Sequence, residues 1–365
     1  MSITKSSGKD NLRAITLQEI LQQPDLWPTT FARTEGVDGV DPANAIITGA
    51  GTSAYAAEAI AGAWPGAKAI PSGDLLLSSR NEIEARNRGF VEHGTLVSLA
   101  RSGDSPESVA TLNKIRHLFP AVRHIVITCN PDGRLAKVPK VETILLDPRT
   151  NDRSLVMTSS FTNLVLAGMC LTHRRELGPV LEGICRRLRQ ALPAIDTTAE
   201  EAAQAGPDRI AILTPPDLKP LAAEVSLKIL EMTAGKIPPL HDSFLGVRHG
   251  PMSYLRSDSL VLCWLSSEPA KQLYELDLIE ELRTKNLGRL ILIAPPGIVP
   301  NAGDMNIPAV APELPDSLRI PFEIPFGQLL AYRLSLRCGL DPDNPSPNAV
   351  ITRVVQGFRL HEQEA

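Results

Sequence analysis

The chain has 365 residues, of which 43% are apolar and 21% charged, as is ordinary for a folded protein of about two domains. With a formal net charge of −4, nothing in the composition suggests nucleic acid or an anionic membrane as a partner. Five scattered cysteines without a CxxC pair predict reduced thiols, the polar N-terminus lacks the apolar core of a signal peptide, and no apolar run reaches the roughly 18 residues of a membrane span. We therefore expect a cytoplasmic protein.

The first half of the chain begins with a flexible lead over residues 1–14 and an amphipathic helix at 17–26. Strands are then predicted at 45–48, 68–71, 96–100, 124–129 and 142–146, with helical stretches between them at 54–63, 74–85, 106–118 and 133–138. This alternation predicts a parallel sheet with helices on both faces. Long helices are expected at 154–171 and 178–192, the second ending near Pro193.

The pattern restarts in the second half, after a polar, alanine-rich linker predicted at 196–206. Strands are expected at 209–213, 238–241, 260–265 and 289–294, and helices at 218–233, 270–284 and 327–338. The proline-rich stretch 295–326 predicts mostly loop. We interpret this half as a degraded repeat in which Thr214-Pro215-Pro216 has replaced the anion-binding turn of the first copy.

That turn of the first copy joins the strand at 45–48 to a helix through Gly49-Ala50-Gly51, followed by Thr52 and Ser53. Glycines let the backbone approach a ligand, and the free N–H groups and dipole of a helix start favour an anion. An ordinary turn with a hydroxyl N-cap remains the alternative for this motif taken alone.

A second turn of the same kind follows the strand at 96–100 and reads Ser102-Gly103-Asp104-Ser105-Pro106. In an open parallel sheet, ligands bind beyond the carboxyl ends of the strands. The two turns are therefore expected to meet at one phosphate, and two unrelated turns without a ligand are the alternative.

Two stretches carry candidate acid–base groups. Lys228 and Glu231 lie at i and i+3 of a mostly apolar helix, which favours a partly buried carboxylate with a raised pKa over a solvated ion pair. His249 precedes Gly250-Pro251 in a rigid loop, where it is either structural or an acid–base group active near neutral pH. Ser159 and Ser160, in the helix predicted at 154–171, face a site or bond back to their own helix.

Seven motifs in order then make the chain resemble the sugar isomerase (SIS) family, most closely its AgaS branch of tagatose-6-phosphate ketose/aldose isomerases and galactosamine-6-phosphate deaminases. They are TGAGTS (48–53), ARSGDSPES (100–108), ITCN (127–130), NDRSLVMTSSFT (151–162), LEMTAGK (230–236), DSFLGVRHGP (242–251) and GLDPDNPSPNAVITRVVQG (339–357).

The resemblance implies an α/β fold of two tandem SIS domains, each a three-layer α/β/α sandwich with a five-stranded parallel, flavodoxin-like sheet, and a homodimer with a shared active site. We assign residues 1–30 to an N-terminal lead and helix, 31–195 to a first domain with the phosphosugar loops, 205–350 to a second domain with the catalytic helix and the HGP loop, and 351–365 to a C-terminal tail.

Residue roles follow from similarity to the isomerase half of glucosamine-6-phosphate synthase. Phosphate binding is implied for Gly51, Thr52, Ser53, Ser102, Gly103 and Ser105, and Arg101, which departs from the synthase motif, either contacts the phosphate or gates the pocket. Glu231 is implied as the base that moves a proton between C1 and C2, Lys228 as its positioning partner, and His249 as the ring-opening group, donated by the neighbouring subunit. Ser159, Ser160 and Arg353 are further substrate-site candidates, although an arginine cannot form the Schiff base of the synthase lysine.

The function that these roles imply is deamination of a hexosamine 6-phosphate, with galactosamine 6-phosphate favoured, to a ketose 6-phosphate and ammonia. The expected partner is a small sugar phosphate, with no nucleic acid, membrane, metal or cofactor. An aldose–ketose isomerase, a deglycase of sugar–amine 6-phosphates and a non-catalytic sugar-phosphate sensor are the alternatives.

Overall fold

The computed structural model describes residues 14–298, 305–355 and 357–361. The flexible lead predicted at 1–14 falls almost entirely outside the described residues, as does the end of the predicted tail at 362–365. Within the described ranges, no helix is both long enough and apolar enough to cross a membrane.

The first half forms a five-stranded parallel sheet with the strand order β2-β1-β3-β4-β5. Its strands are β1 (Ala45–Thr48), β2 (Lys68–Ala69), β3 (Thr95–Ala100), β4 (Arg123–Thr128) and β5 (Glu142–Leu145). The helices of this half up to β5 are α1 (Ile15–Leu21), α2 (Gln23–Arg33), α3 (Thr52–Ala63), α4 (Ser72–Leu77), α5 (Arg80–Arg86), α6 (Arg88–His93) and α7 (Pro106–Leu118). The central strands β1 and β3 are buried along their whole length, as strands covered by helices on both faces must be.

The second half repeats the same topology with the order β10-β9-β8-β6-β7, which confirms the predicted pair of five-stranded parallel α/β units. Its strands are β6 (Ile210–Thr214), β7 (Pro239–Ser243), β8 (Leu260–Trp264), β9 (Arg289–Ala294) and β10 (Met305–Pro308). Its helices are α9 (Lys219–Met232), α10 (Pro269–Thr284), α11 (Asp316–Glu323) and α12 (Pro325–Arg337). The predicted loop at 295–326 was wrong over β10 and α11, because buried apolar side chains of α11 hold that helix against the core despite its prolines.

A single 46-residue helix, α8 (Ser159–Gln204), joins the two halves. It bends at His173, whose φ of −114° is not helical, and it continues through Pro193. The linker predicted at 196–206 was therefore wrong, because Ile195, Ala199 and Ala202 bury a continuous face of the helix. The helix predicted at 154–171 starts at Ser159, five residues later than expected.

The two sheets share one hydrophobic core, which contains buried residues of both, such as Val97 on β3 and Leu262 on β8. Across this core Trp27 on α2 meets Phe322 on α11 edge to face, with ring centroids 5.1 Å apart. Helix α3 also contacts α9 directly. Helix α3, which follows the turn at 49–51, thus lies beside α9, the helix that carries Lys228 and Glu231.

Candidate active site

The first loop passes tightly over the start of α3. A Cβ atom at Gly49 would lie 2.6 Å from the backbone oxygen of Ser53, so a side chain cannot be placed there without moving the turn. Gly51 has a φ of +56° and occupies the N-cap of α3, a conformation that favours glycine. The loop therefore holds Thr52 and Ser53 in the first helical turn, where the N–H of Ser53 donates to the carbonyl oxygen of Ala50 at 3.1 Å and the N–H of Ala54 to that of Gly51 at 2.8 Å.

The second loop, at the end of β3, is fixed by the loop that follows β4. Asn130 Nδ2 donates to the carbonyl oxygen of Ser102 at 2.8 Å, and the backbone N–H of Leu135 donates to the carbonyl oxygen of Gly103 at 3.0 Å. Gly133 lies so close that a Cβ atom there would be 2.2 Å from the carbonyl oxygen of Ser102. Asn130 and Gly133 therefore position the second loop, a role that the ITCN motif did not predict because it depends on contacts between loops.

Both loops open onto one cleft of about 600 Å³. Six of the predicted site residues line it: Gly51, Thr52, Arg101, Ser105, Glu231 and Arg353. The others lie beneath its surface or elsewhere: Ser53, Ser102, Gly103, Lys228, Ser159, Ser160 and His249. Residues 349–353 of the C-terminal segment, together with Leu155 and Met157, form the walls opposite the loops.

Lys228, on α9, lies wholly inside the protein against the first loop. Its Nζ is 2.5 Å from Glu231 Oε2 and 3.0 Å from Thr52 Oγ1, and its side chain is 0% exposed. Burial lowers the pKa of Lys228, but the Glu224 and Glu231 carboxylates outweigh burial and raise it above its usual value. The solvated ion pair, which was the alternative for Lys228 and Glu231, is excluded, and the Glu231 side chain is partly buried at 23% exposure.

Glu224 completes this cluster and was missed in the sequence. It is fully buried one turn before Lys228, with Oε1 3.4 Å from Lys228 Nζ. No donor among the described residues meets either oxygen in good hydrogen-bond geometry, so the ion pair with Lys228 is its polar contact. Burial raises its pKa to about 8, with Lys228 opposing and Glu231 adding to the shift. The spacing of Glu224, Lys228 and Glu231 at i, i+4 and i+7 on one helix could have revealed it.

Arg101 clamps two walls of the cleft together. Its Nη1 donates to the carbonyl oxygens of Ser154 at 3.1 Å and Leu155 at 3.0 Å, and its Nη2 donates to the carbonyl oxygen of Arg353 at 3.1 Å. Because these acceptors all belong to the walls, the described contacts of Arg101 are those of a residue that shapes the pocket.

The remaining candidates gather around the loop at residues 151–158. Arg353 donates to Asn151 Oδ1 at 2.7 Å and to the carbonyl oxygen of Asp152, so its guanidinium anchors the C-terminal segment. The hydroxyls of Ser159 and Ser160 donate to the buried carboxylate of Asp152 at 3.0 and 2.5 Å. The described contacts of these two serines thus fix the start of α8, and neither serine lines the cleft.

His249 ends a short 3₁₀ turn, Gly246–His249, and is exposed to solvent. It does not line the cleft that contains Glu231. Within the described part of one chain, the candidate base lines this cleft and the candidate ring-opening histidine does not.

One acidic cluster, formed by Asp217, Glu268 and Asp316, could by spacing hold a metal ion. The ammonium of Lys271 already lies 2.7 Å from Asp217 and 2.7 Å from Glu268. This side chain supplies the positive charge that a cation would bring, and the cluster lies outside the cleft.

The chain is similar to several known proteins over nearly its whole length, although no protein-family model matches it. A relative from Streptomyces coelicolor that carries the AgaS name is 35% identical over 377 residues, covering 96% of each chain. The D-galactosamine-6-phosphate deaminase AgaS of Shewanella sp. (strain ANA-3) is 32% identical over 370 residues, covering 95% of this chain and 91% of its own. The solved structure of tagatose-6-phosphate ketose/aldose isomerase from Escherichia coli superposes with a TM-score of 0.78 at 29% identity, covering 94% of this chain and 97% of its own.

Proposed function

Because the chain belongs to the AgaS group of the sugar isomerase (SIS) family, we propose that it deaminates a hexosamine 6-phosphate, with galactosamine 6-phosphate as the favoured substrate. The observation that carries the proposal is the cleft itself, in which two hydroxyl-bearing helix starts and the Glu231 carboxylate face one space. Such a cleft suits a ligand with a phosphate at one end and an acidic carbon at the other.

The phosphate end of the substrate binds at the starts of α3 and α7. Thr52 and Ser105 line the cleft there, and Ser53 and Ser102 lie in the same two loops. The helix dipoles and N–H groups stabilise the dianion, and the fixed phosphate holds C1 and C2 of the sugar near Glu231.

Glu231 is the base that transfers the proton between C2 and C1 of the sugar. Its carboxylate takes the C2 proton of the open-chain sugar, which carries an aldehyde at C1 and an amine at C2. The enolamine that results then receives a proton at C1. The product ketimine carries its C=N bond at C2, and water hydrolyses that bond to give the ketose 6-phosphate and ammonia. Lys228, held 2.5 Å from Glu231 and fully buried, fixes the orientation of the carboxylate and balances its charge.

Ring opening falls to His249, which the second subunit of a homodimer supplies. The support is that His249 is exposed and lies outside the cleft of its own chain. We further propose a cytoplasmic location, consistent with five cysteines that are all free thiols.

An aldose–ketose isomerase is the second candidate, favoured by the similarity to the Escherichia coli isomerase structure. With a hydroxyl at C2, the same proton transfer by Glu231 passes through an enediol, and no ammonia is released.

The test is ammonia release from galactosamine 6-phosphate and, separately, from glucosamine 6-phosphate. We expect release that Glu231→Gln reduces by about a hundredfold or more, because general-base catalysis contributes a factor of this order, while binding of the sugar phosphate in a thermal-shift assay persists. Glu201→Gln, at an exposed position of α8, is the matched control and should keep full activity. Full turnover by Glu231→Gln would refute the assignment of the base, and interconversion of aldose and ketose 6-phosphates without ammonia release would favour the isomerase.

A further inference from the structure

Helix α1 lies behind one wall of the cleft. Leu155 and Met157 of this wall line the cleft, opposite the loops after β1 and β3. On the other side of the wall lies Glu19 of α1, which is buried and does not line the cleft. No step of the proposed reaction uses this carboxyl, although a buried carboxyl needs hydrogen-bond partners to be tolerated.

Three groups of the wall occupy the Glu19 carboxyl. Its Oε1 accepts from the backbone N–H of Arg153 at 2.6 Å and from that of Ser154 at 3.4 Å, and its Oε2 accepts from Ser154 Oγ. Burial raises the pKa of Glu19 to about 7, and the Asp152 carboxylate adds to the shift. A proton on Oε2 preserves these contacts, since that oxygen then donates to Ser154 Oγ, which itself donates to the carbonyl oxygen of Val156 at 3.1 Å. The contacts therefore depend on the reach of the side chain rather than on its charge.

The cleft side of the same wall is held by Arg101. Its Nη1 donates to the carbonyl oxygens of Ser154 and Leu155. Ser154 is thus fixed on both sides, its N–H and hydroxyl by Glu19 and its carbonyl oxygen by Arg101. Because Arg101 also donates to the carbonyl oxygen of Arg353, a shift of Ser154 would be passed on to the C-terminal wall of the cleft.

Helix α1 can serve as a fixed support, because it is anchored at both ends. The carboxylate of Asp343 accepts from the first two N–H groups of the helix. At the other end, Gln22 Nε2 donates to the carbonyl oxygen of Arg149 at 3.0 Å and to Ser159 Oγ at 3.2 Å. Ile20, between these anchors, is fully buried in the core. Loss of the Glu19 contact would therefore free the wall rather than move the helix.

We propose that Glu19 is a positioning residue of the candidate active site: it places Ser154 and Leu155, and through them Arg101, at the separation from the loops after β1 and β3 that the sugar phosphate requires. The inference rests on the proposed function, which makes this cleft the substrate site. Glu19 acts from behind the wall and sets the affinity for the sugar phosphate without touching it.

Three substitutions separate reach from charge. Glu19→Ala removes the contact, and Glu19→Asp keeps a carboxyl on a side chain that is one methylene shorter. Both should raise KM for the hexosamine 6-phosphate about tenfold or more, because the substrate then meets a misplaced wall. Glu19→Gln should keep KM close to the wild-type value, since its oxygen can accept from both N–H groups and its amide can donate to Ser154 Oγ. A wild-type KM in Glu19→Asp beside a raised KM in Glu19→Gln would overturn the inference, because charge would then decide.

Inorganic phosphate and a core variant of the same helix distinguish positioning from loss of stability. Phosphate should bind Glu19→Ala as tightly as wild type, because the described contacts of Glu19 are with the wall and not with the loops after β1 and β3. Ile20→Val trims a fully buried side chain, which lowers stability but leaves the contacts of the wall intact, so KM should not change. A rise in KM for Ile20→Val as large as that for Glu19→Ala would overturn the inference, because any loosening of α1 would then suffice.

Hydrogen exchange tests the wall without a substrate. The N–H groups of Arg153 and Ser154 should exchange about tenfold faster or more in Glu19→Ala and Glu19→Asp, while β1 and β3 keep their protection. Unchanged exchange at these two N–H groups would overturn the inference. Faster exchange with an unchanged KM would also overturn it and leave the proposed function standing. Faster exchange in a protein that releases no ammonia from either hexosamine would support the hold of Glu19 on the wall and refute the proposed function.

Discussion

The buried carboxyl of Glu224 makes the stability of the folded protein depend on pH. Its pKa rises from the usual 4.5 to about 8, so the folded protein holds this proton more tightly than the unfolded chain does. The stabilisation is fully present below pH 4.5 and is lost as the pH rises towards 8. We therefore expect Glu224→Gln, which stays neutral, to gain stability relative to wild type across this window, by at most about 1.4 kcal/mol per pH unit.

Urea unfolding at several pH values across that window measures the difference, and Glu201→Gln on the surface of α8 is the control, for which no trend is expected. A Glu224→Gln difference that stays constant, or that falls as the pH rises, would show that Glu224 is ionised in the folded protein throughout the window.

The burial of single residues at the candidate site was predictable where it depends on the sequence of one helix or strand. The spacing of Lys228 and Glu231 and the apolar residues around them predicted a partly buried pair, which the structure confirms. Asp152 was not predictable, because its bonds to Ser159 and Ser160 depend on how the loop folds back onto the start of α8. The spacing of residues along the sequence does not show that this loop folds back onto the helix.

At the scale of elements, the loop after β4 supports the loop after β3, for which we propose phosphate binding. Gly133→Ala would place a Cβ atom 2.2 Å from the carbonyl oxygen of Ser102 and must displace one of the two loops. We expect KM for the sugar phosphate to rise about tenfold or more, because a misplaced anion site loses its hydrogen bonds, with a smaller effect on kcat. Steady-state kinetics measures this split.

Gly62→Ala is the matched control for that substitution, since Gly62 lies on α3 with open space around its Cβ position. It should leave KM unchanged and, as a helical glycine replaced by alanine, stabilise the protein slightly. An unchanged KM in Gly133→Ala would show that the second loop does not depend on this contact.

Asp343 caps helix α1 from the other end of the chain. Its carboxylate accepts hydrogen bonds from the backbone N–H groups of Ile15 at 3.0 Å and Thr16 at 2.8 Å. Asp343→Ala should cost roughly 1–2 kcal/mol of unfolding free energy, as loss of a helix cap does. Chemical denaturation checks this, with the exposed Asp277→Ala on α10 as the control. Equal stability of the two variants would contradict the capping role.

The boundaries of helices and strands were predicted correctly where apolar runs alternate with turns. The predictions were wrong where tertiary contacts outweigh the local composition. The alanine-rich stretch at 196–206 looked like a linker, yet its small side chains let α8 pack closely against the rest of the core. Pro193 did not end the helix, although proline removes one helical hydrogen bond, because the burial on either side of it outweighs that loss.

For the whole molecule, one core spans both sheets, so the two halves are expected to unfold together. Phe322→Ala removes a fully buried ring from the contact with Trp27 and should cost about 3–5 kcal/mol. The loss should appear equally in hydrogen exchange of β1–β5 and of β6–β10. Leu336→Ala, at a partly exposed position of α12, is the control and should have little effect. Exchange that accelerates only in the second sheet would show that the halves are independent.

The overall architecture followed from the alternation of strands and helices, and the repeat of one strand order in both halves confirms it. The shared core could not be predicted, because nothing in the pattern shows which helix faces of one half meet the other. Residues 196–204, which separate the two predicted domains, lie within α8, and this helix packs in the core of both halves.

The attachment of α1 to Asp343, and of Arg353 to the loop at 151–158, has a consequence for biosynthesis. The N-terminal helix is made first, yet its cap is translated more than 300 residues later. A ribosome that has finished the first sheet has produced the loops after β1 and β3 but not the C-terminal wall of the cleft, which Arg353 anchors. Because one core spans both sheets, the cleft is complete only after residues 349–353 have been translated and have packed against the first half.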